Sequence, residues 1–266
     1  APAREGTFCA GCPHRASFWN ISLALKMDNN EGFVCGDIGC YTMAVRSAGF
    51  STLKTLHAMG SGTGVASGFG KLGQFGMDQP VFSVCGDSTF YHAVMPALVN
   101  AVHHKSDITL VVLDNSGTAM TGFQPHPGTE TDVRGEEAVQ MDIESICKSI
   151  GATVFTADPF DFKTTQETLH NLMKMKGGVK VLVLRQICAL SPEKKGTRWF
   201  DMSVTESKCL GESCGCNRLC TRVFSCPGLV WDPVKKVSKI DDVICIGCGV
   251  CSDVCPVGAI DKKELT

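Results

Sequence analysis

Four cysteines near the carboxyl end, Cys245, Cys248, Cys251 and Cys255, follow one another as C-x2-C-x2-C-x3-C, with Pro256 closing the run. Thiolates at this spacing wrap iron–sulfur cubanes: three on a tight, glycine-containing loop cap three corners of one cluster, and the proline turns the fourth toward a second. Zinc is the rival, but zinc sites usually pair two separated C-x2-C knuckles. An earlier group, Cys209, Cys214, Cys216, Cys220 and Cys226-Pro227, is less regular. Crossed ligation predicts that Cys226 completes the cluster of Cys245, Cys248 and Cys251, and that Cys255 joins Cys214, Cys216 and Cys220. Cys214 and Cys220 have the outer separation of C-x2-C-x2-C. Cys216 is the middle ligand although it lies one position early, and Cys209 is its alternative.

At the amino end, Cys9-Ala10-Gly11-Cys12-Pro13-His14 is a C-x2-C that by itself suits a redox dithiol, half of a zinc site or half of a cluster. A dithiol of the thioredoxin kind opens a helix after a strand, and no strand is predicted before Cys9. A cluster needs two further thiolates, and Cys40 and Cys188 are available. Cys35, Cys85 and Cys147 sit in apolar surroundings and read as small buried hydrophobes. His57, His92, His103, His104 and His126 have no partner at fixed spacing. His57 and His126 could face a substrate from loops, but solvent exposure is the expected state of both.

A second constellation lies mid-chain. Gly86-Asp87-Ser88 follows an apolar strand, and Asp114-Asn115 ends the next one. Two adjacent parallel strands would bring Asp87 and Asn115 side by side at their carboxyl edge. A carboxylate, an amide oxygen, a backbone carbonyl (Gly117, two residues on) and two diphosphate oxygens make an octahedral set for Mg²⁺. Ser88 and Thr89 begin a helix whose N–H groups can add phosphate contacts. The pair resembles the thiamine-diphosphate motif, G-D-G followed one strand later by N-N. Ser88 replaces the last glycine and Asp114 the first asparagine, which leaves both metal-ligand positions intact. Gly60-Ser61-Gly62-Thr63-Gly64 lacks the lysine of a nucleotide loop and reads as a closely packed helix opening.

The elements that must hold these residues are legible in outline. Pro80–Cys85, Ile108–Asp114, Thr153–Thr156 and Val179–Leu184 read as buried parallel strands, with helices predicted over Phe90–His104, Asp142–Ile150 and Phe162–Lys176. The alternation is that of an α/β sheet. The polar stretch Ser191–Arg198 reads as a linker. Two domains are therefore expected, 1–195 and 196–266. The second has little apolar material and needs metal or covalent cross-links. Its two cysteine groups each end in Cys-Pro and a small apolar segment, a weak internal repeat.

Composition excludes several classes. Twenty-five basic and 27 acidic residues give a net charge of −2, so no nucleic-acid footprint is expected. No apolar run is long enough to cross a bilayer, which predicts a soluble chain with no membrane role. Sixteen cysteines in 266 residues, in a chain too large to need disulfide staples, point to metal or redox chemistry in a reducing, cytoplasmic setting.

Taken together, Cys9–His14, Gly36–Cys40, Gly86–Ser88, Asp114–Gly122, Cys188 and the dicluster tail resemble the 2-oxoacid:ferredoxin oxidoreductases. Within that family the likeness is to the carboxyl-terminal part of the indolepyruvate ferredoxin oxidoreductase α subunit. The resemblance implies a pyrophosphate-type thiamine-diphosphate domain followed by a ferredoxin-like 2[4Fe–4S] domain. It implies that Cys9, Cys12, Cys40 and Cys188 hold a proximal [4Fe–4S] cluster, the third in the chain, and that Thr121 and Gly122 lie near the thiamine together with Gly86, Asp87, Ser88, Asn115 and Gly117. The implied reaction is oxidative decarboxylation of an aryl 2-oxoacid with coenzyme A, giving acyl-CoA, CO2 and reduced ferredoxin. The activating glutamate of thiamine enzymes would sit on another pyrimidine-binding domain or chain, and a second, γ/β-type subunit is expected. The competing expectation is a non-catalytic electron-transfer subunit, which would leave Asp87 and Asn115 without a task.

Overall fold

The computed structural model describes residues 6–27, 32–214 and 218–265. Helix α1 (Pro13–Met27) comes first, with proline at its opening position, where the missing N–H costs nothing. Then follow β1 (Phe33–Gly36), β2 (Thr55–Leu56), α2 (Ser61–Phe69) and β3 (Val81–Gly86). Short α3 (Asp87–Thr89) runs through a π-helical turn, Phe90–Val94, into α4 (Met95–His103), and β4 (Ile108–Asp114) returns to the sheet. Next come α5 (Ile143–Ile150), β5 (Thr153–Ala157), α6 (Phe162–Lys174) and β6 (Val179–Arg185). The six strands form one parallel sheet in the order β2-β1-β3-β4-β6-β5.

Every residue of β3 and all but the last of β4 and β6 are buried, which is why these strands appear as continuous apolar runs. Successive side chains face opposite sides of the sheet. Phe82, Val84, Val111 and Leu113 meet Phe18, Ile21, Leu169 and Leu172 of α1 and α6. Val81, Cys85, Leu110 and Val112 meet Ala66, Leu98, Ala101 and Cys147 of α2, α4 and α5. Cys35, Cys85 and Cys147 are all fully buried, as expected of small hydrophobes. Asp142 and Asp161 cap α5 and α6 by accepting the N–H groups of Ser145 and Thr164 at 2.7 and 3.0 Å.

The strands and helices expected over residues 80–185 are present. The π turn breaks the single helix expected over Phe90–His104, and α6 stops two residues early. The sequence pattern did not disclose α1, β1 or β2. The opening of α2 is as expected: a Cβ on Gly62 would come within 3.1 Å of the Cys35 and Gly36 backbone.

The cysteine-rich tail has two antiparallel pairs. β7 (Phe200–Val204) pairs with β10 (Ile260–Glu264), and β8 (Leu229–Asp232) with β9 (Val237–Ile240). Each Cys-Pro lies between a helical turn and a strand: a π turn, Leu219–Phe224, precedes Cys226, and α7 (Val250–Val254) precedes Cys255. The weak sequence repeat thus corresponds to a repeated local structure. The tail borrows its core, since Met202, Phe224, Leu229, Val250 and Val254 pack against Ala16, Trp19 and Phe162 of α1 and α6. Trp19 meets the Phe224 ring edge-on at 5.5 Å. The stretch expected as a polar linker is not wholly solvated, because Ser191 and Lys194 are buried. Among the described residues no helix is long and apolar enough to cross a membrane.

Candidate functional site

The carboxyl edge of the sheet carries the chemistry. Asp37 and Cys40 follow β1, Asp87 and Ser88 follow β3, Asn115 and Gly117 follow β4, and Cys188 follows β6. In α/β sheets ligands bind outside this edge. The Asp87 carboxylate accepts three backbone N–H groups: Ser88 at 2.7 Å, Gly117 at 3.1 Å and Asn115 at 3.2 Å. It is 3 % exposed. The Asn115 amide lies 3.2 Å from the Asp87 carboxylate and 3.0 Å from the Gly117 carbonyl, and with its nitrogen toward them it donates to both. Turned end for end, its oxygen would join the Asp87 carboxylate and the Gly117 carbonyl as the donor set of a hard dication. The residues therefore fit Mg²⁺ with a diphosphate.

A half-open pocket lies beside these three residues, lined by His14, Cys40, Tyr41, Met59, Ser88 and Thr121 among others. Gly122 closes the short turn after Thr121 with φ +114°, a conformation that favours glycine. Burial pushes the His14 imidazole down to about 4, so at neutral pH it stands in the pocket uncharged. Asp37 is fully buried, and its carboxylate accepts the Gly60 N–H and the Tyr41 hydroxyl. Burial raises it to about 6, against the lowering pull of those two hydrogen bonds. These contacts fix the loop that carries Cys40.

Cys9, Cys12, Cys40 and Cys188 gather in one place, where Cys188 and Cys9 lie within electrostatic reach of both Cys12 and Cys40. The Cys188 N–H donates to the Asn115 carbonyl at 3.2 Å, tying this group to the diphosphate edge. Cys226, Cys245, Cys248 and Cys251 form a second group. They line a narrow apolar pocket that also reaches Gly11 and Cys12. Burial pushes the thiols of Cys12 and Cys248 up to about 12 and about 11, so without a metal they stay protonated and ligation must release their protons. In the third group Cys220 is in electrostatic reach of Cys255 and Cys209. Cys216 lies outside the described residues. Among the described residues no three His, Cys, Asp or Glu side chains converge on a point for a single metal ion. A cubane does not require such a point, since each thiolate binds a different iron.

The first two groups are close because two loops interlock. Gly11 has φ +67°, and a Cβ there would stand 2.2 Å from Ile246 Cδ1 and 3.5 Å from Cys248 Cβ. Gly11→Ala is expected to cost about 2–4 kcal/mol, from left-handed strain plus overpacking. Denaturant unfolding checks this, and unchanged stability would show that the loops do not interlock.

Residues 37–183, more than half of the chain, match the family described as thiamine pyrophosphate enzyme, C-terminal TPP binding domain. The chain belongs to the thiamine pyrophosphate enzymes. Residues 238–261 match a 4Fe-4S binding domain, so the thiamine pyrophosphate domain is followed by an iron–sulfur one. The chain is 38% identical over 99% of its length to indolepyruvate oxidoreductase subunit IorA of Thermococcus kodakarensis. It is also 38% identical, over 98% of its length, to the subunit of that name in Methanothermobacter thermautotrophicus. It spans 41% of the length of each of these relatives. Among solved structures, 2-oxoglutarate:ferredoxin oxidoreductase from Magnetococcus marinus shares the fold with a TM-score of 0.58 at 19% identity, over 70% of this chain and 66% of that one.

Three residues of this thiamine pyrophosphate enzyme went unrecognised or were misjudged in its sequence. His126 is not solvent-exposed: its side chain is 5% exposed, Nε2 lies 3.3 Å from the Asp87 carboxylate, and the ring stacks on Tyr91. The Gly128 N–H donates to His126 Nδ1 at 3.0 Å, which leaves the proton on Nε2, facing Asp87. His57 is exposed as expected. His14 and Arg15 are buried polar residues in the first turn of α1. Two adjacent polar residues directly after C-x2-C-Pro were the available signal.

Proposed function

We propose that this chain is the diphosphate-binding, electron-exporting part of a 2-oxoacid:ferredoxin oxidoreductase acting on an aryl pyruvate such as indolepyruvate, with acyl-CoA and CO2 as products. One observation carries this: the Cys9, Cys12, Cys40 and Cys188 thiols lie within electrostatic reach of one another at the same sheet edge as the Asp87 carboxylate, the Asn115 amide and the Gly117 carbonyl, joined through the Cys188 to Asn115 hydrogen bond. A thiamine enzyme that never exports electrons has no use for such thiols. A plain electron carrier has no use for the trio.

Asp87, Asn115 and Gly117 would hold Mg²⁺, with Gly86, Ser88, Thr121 and Gly122 around the diphosphate. When bound, thiamine diphosphate supplies the electron sink for loss of CO2. Neutral His14 adds no charge beside the sink. Three [4Fe–4S] clusters are proposed. Cys9, Cys12, Cys40 and Cys188 hold the proximal one, and Cys226, Cys245, Cys248 and Cys251 the next. Cys220 and Cys255 hold the outer one with two of Cys209, Cys214 and Cys216. The proximity of Cys209 to Cys220 and Cys255 favours including it. The domains divide as 1–195 and 196–266. The pyrimidine-binding part with its glutamate, the γ/β-type subunit, coenzyme A and ferredoxin complete the enzyme. Every described cysteine is a free thiol, which suits a reducing cytoplasm.

An anaerobic count on the whole enzyme tests this reading. About twelve irons and twelve sulfides, with one thiamine diphosphate, and ferredoxin reduction that needs both the 2-oxoacid and coenzyme A, are expected. Clusters without thiamine would favour the electron carrier.

A further inference from the structure

Two cations are buried where the proximal cysteine group meets the Cys226, Cys245, Cys248 and Cys251 group. Arg15 is 1 % exposed and Lys194 5 % exposed. Arg15 donates to the Phe224 carbonyl at 2.7 Å, to the Phe8 carbonyl at 2.5 Å and to Thr7 Oγ1 at 3.1 Å. It thereby joins the chain just before Cys226 to the chain just before Cys9, and its Nε has no partner. Its charge reaches Cys9 and Cys12 on one side and Cys226 and Cys248 on the other. Lys194 has no hydrogen-bond partner for Nζ, which stands over the Trp199 ring at 3.7 Å and the Phe160 ring at 5.3 Å. It reaches Cys188 on one side and Cys248 on the other, and the Asp158 carboxylate is its third electrostatic neighbour.

Burying a cation without a hydrogen-bonded counter-ion is costly, so a fold retains one where a compensating negative charge arrives. A thiolate-ligated cubane brings that charge, and on reduction it gains one more. The geometry points to Lys194 and Arg15 as a cationic bridge that raises the reduction potentials of the two adjoining clusters and so holds the electron in transit between them. This rests on the cluster assignments of the proposed function. In the step served, one electron leaves the proximal cluster, which is oxidised, and enters the neighbouring cluster, which is reduced. No bond forms or breaks and no proton moves. Both reduced clusters carry their added charge beside the same two cations, so neither side of the transfer is penalised. Lys194 touches no reacting atom and acts through its field.

The test is EPR-monitored redox titration of the whole enzyme carrying Lys194→Met, which keeps the stem and removes the charge, beside Lys194→Arg, which keeps the charge. In the Met variant the ratio of reduced to oxidised cluster at fixed ambient potential is expected to fall about tenfold for both adjoining clusters, 59 mV in a one-electron couple. The outer cluster should be unmoved and the Arg variant close to wild type. Potentials unchanged in the Met variant, with iron content intact, would overturn the bridge even if stability fell, because a merely structural lysine alters stability and not potentials. If the Met variant loses iron, Lys194→Gln is titrated in its place. Iron lost from both neutral variants and kept with Arg supports the charge requirement, whereas iron lost from all three assigns Lys194 a packing role and overturns it. Wild-type enzyme without iron and sulfide would overturn the functional proposal as well; clusters present with unshifted potentials would overturn this inference alone.

Discussion

Asp87→Asn is expected to abolish Mg²⁺-dependent retention of thiamine diphosphate while iron and sulfide stay at wild-type levels. The substitution keeps the shape of the side chain and one carbonyl oxygen to accept N–H bonds, so the joint between β3 and the loop after β4 stays closed. It removes the only formal negative charge in the trio of Asp87, Asn115 and Gly117, and it replaces one oxygen by an NH2 group that cannot ligate a cation. Buried at 3 % exposure, the carboxylate has little water to share its charge with, so the loss is felt in full at the metal. An affinity drop of about a hundredfold or more is expected, about 2.7 kcal/mol. Isothermal titration with thiamine diphosphate and Mg²⁺ measures it, and unaltered affinity would discredit the metal assignment. The cluster cysteines are expected to be unaffected because, among the described residues, no cysteine hydrogen-bonds the Asp87 carboxylate; their link to the site runs through the Asn115 backbone carbonyl.

Cys248→Ser is expected to remove one cluster, about four irons, and to slow ferredoxin reduction at least about tenfold, since the lost cluster is the step between proximal and outer groups. Cys248 lies against Cys226, Cys245 and Cys251, and against Lys194 and Gly11 on the side of the proximal group. A serine hydroxyl is a poor ligand for iron and, placed in an apolar cavity, a polar group short of partners. The pocket these cysteines share is walled by Phe160, Met202, Leu229 and Ile240, so losing its contents also weakens the shared core of α1, α6 and the tail. EPR of the reduced protein and iron analysis check this. A spectrum identical to wild type would contradict the assignment. The proposed outer cluster should survive, because Cys255 and Cys209 are within electrostatic reach of Cys220, and Cys248 is not among that group.

These expectations differ in how early they could be formed. Asp87, Asn115 and the run from Cys245 to Cys255 were visible in the sequence because their chemistry is local. A strand end places an aspartate wherever the strand ends, and a C-x2-C-x2-C loop can satisfy three corners of one cubane by itself. The gathering of Cys9, Cys12, Cys40 and Cys188 was open on spacing alone, since these residues come from before the first strand, from the β1–β2 connection and from beyond the last strand of the sheet. His126 was misjudged for the same reason. The loop after β4 folds back over Asp87, and a histidine far along that loop carries no mark of its destination. Strands β1 and β2 were missed because they are only four and two residues long, too short to show a pattern.

The sequence by itself determined the α/β class, the four strands at the centre of the argument, the diphosphate edge and the presence of iron–sulfur ligands, because apolar periodicity and ligand spacing are properties of neighbours in the chain. Only the tertiary structure brought cysteines from long separations within electrostatic reach of one another, Cys209 with Cys220 and Cys255 among them, and buried Arg15 and Lys194 between two cysteine groups. Lys194 shows the physical reason. In the sequence it sits in a charged, proline-containing stretch that looks solvated, and burial is a property of what packs around a residue. It becomes a buried, unpartnered cation only because Trp199, Phe160 and the two thiol groups close around it.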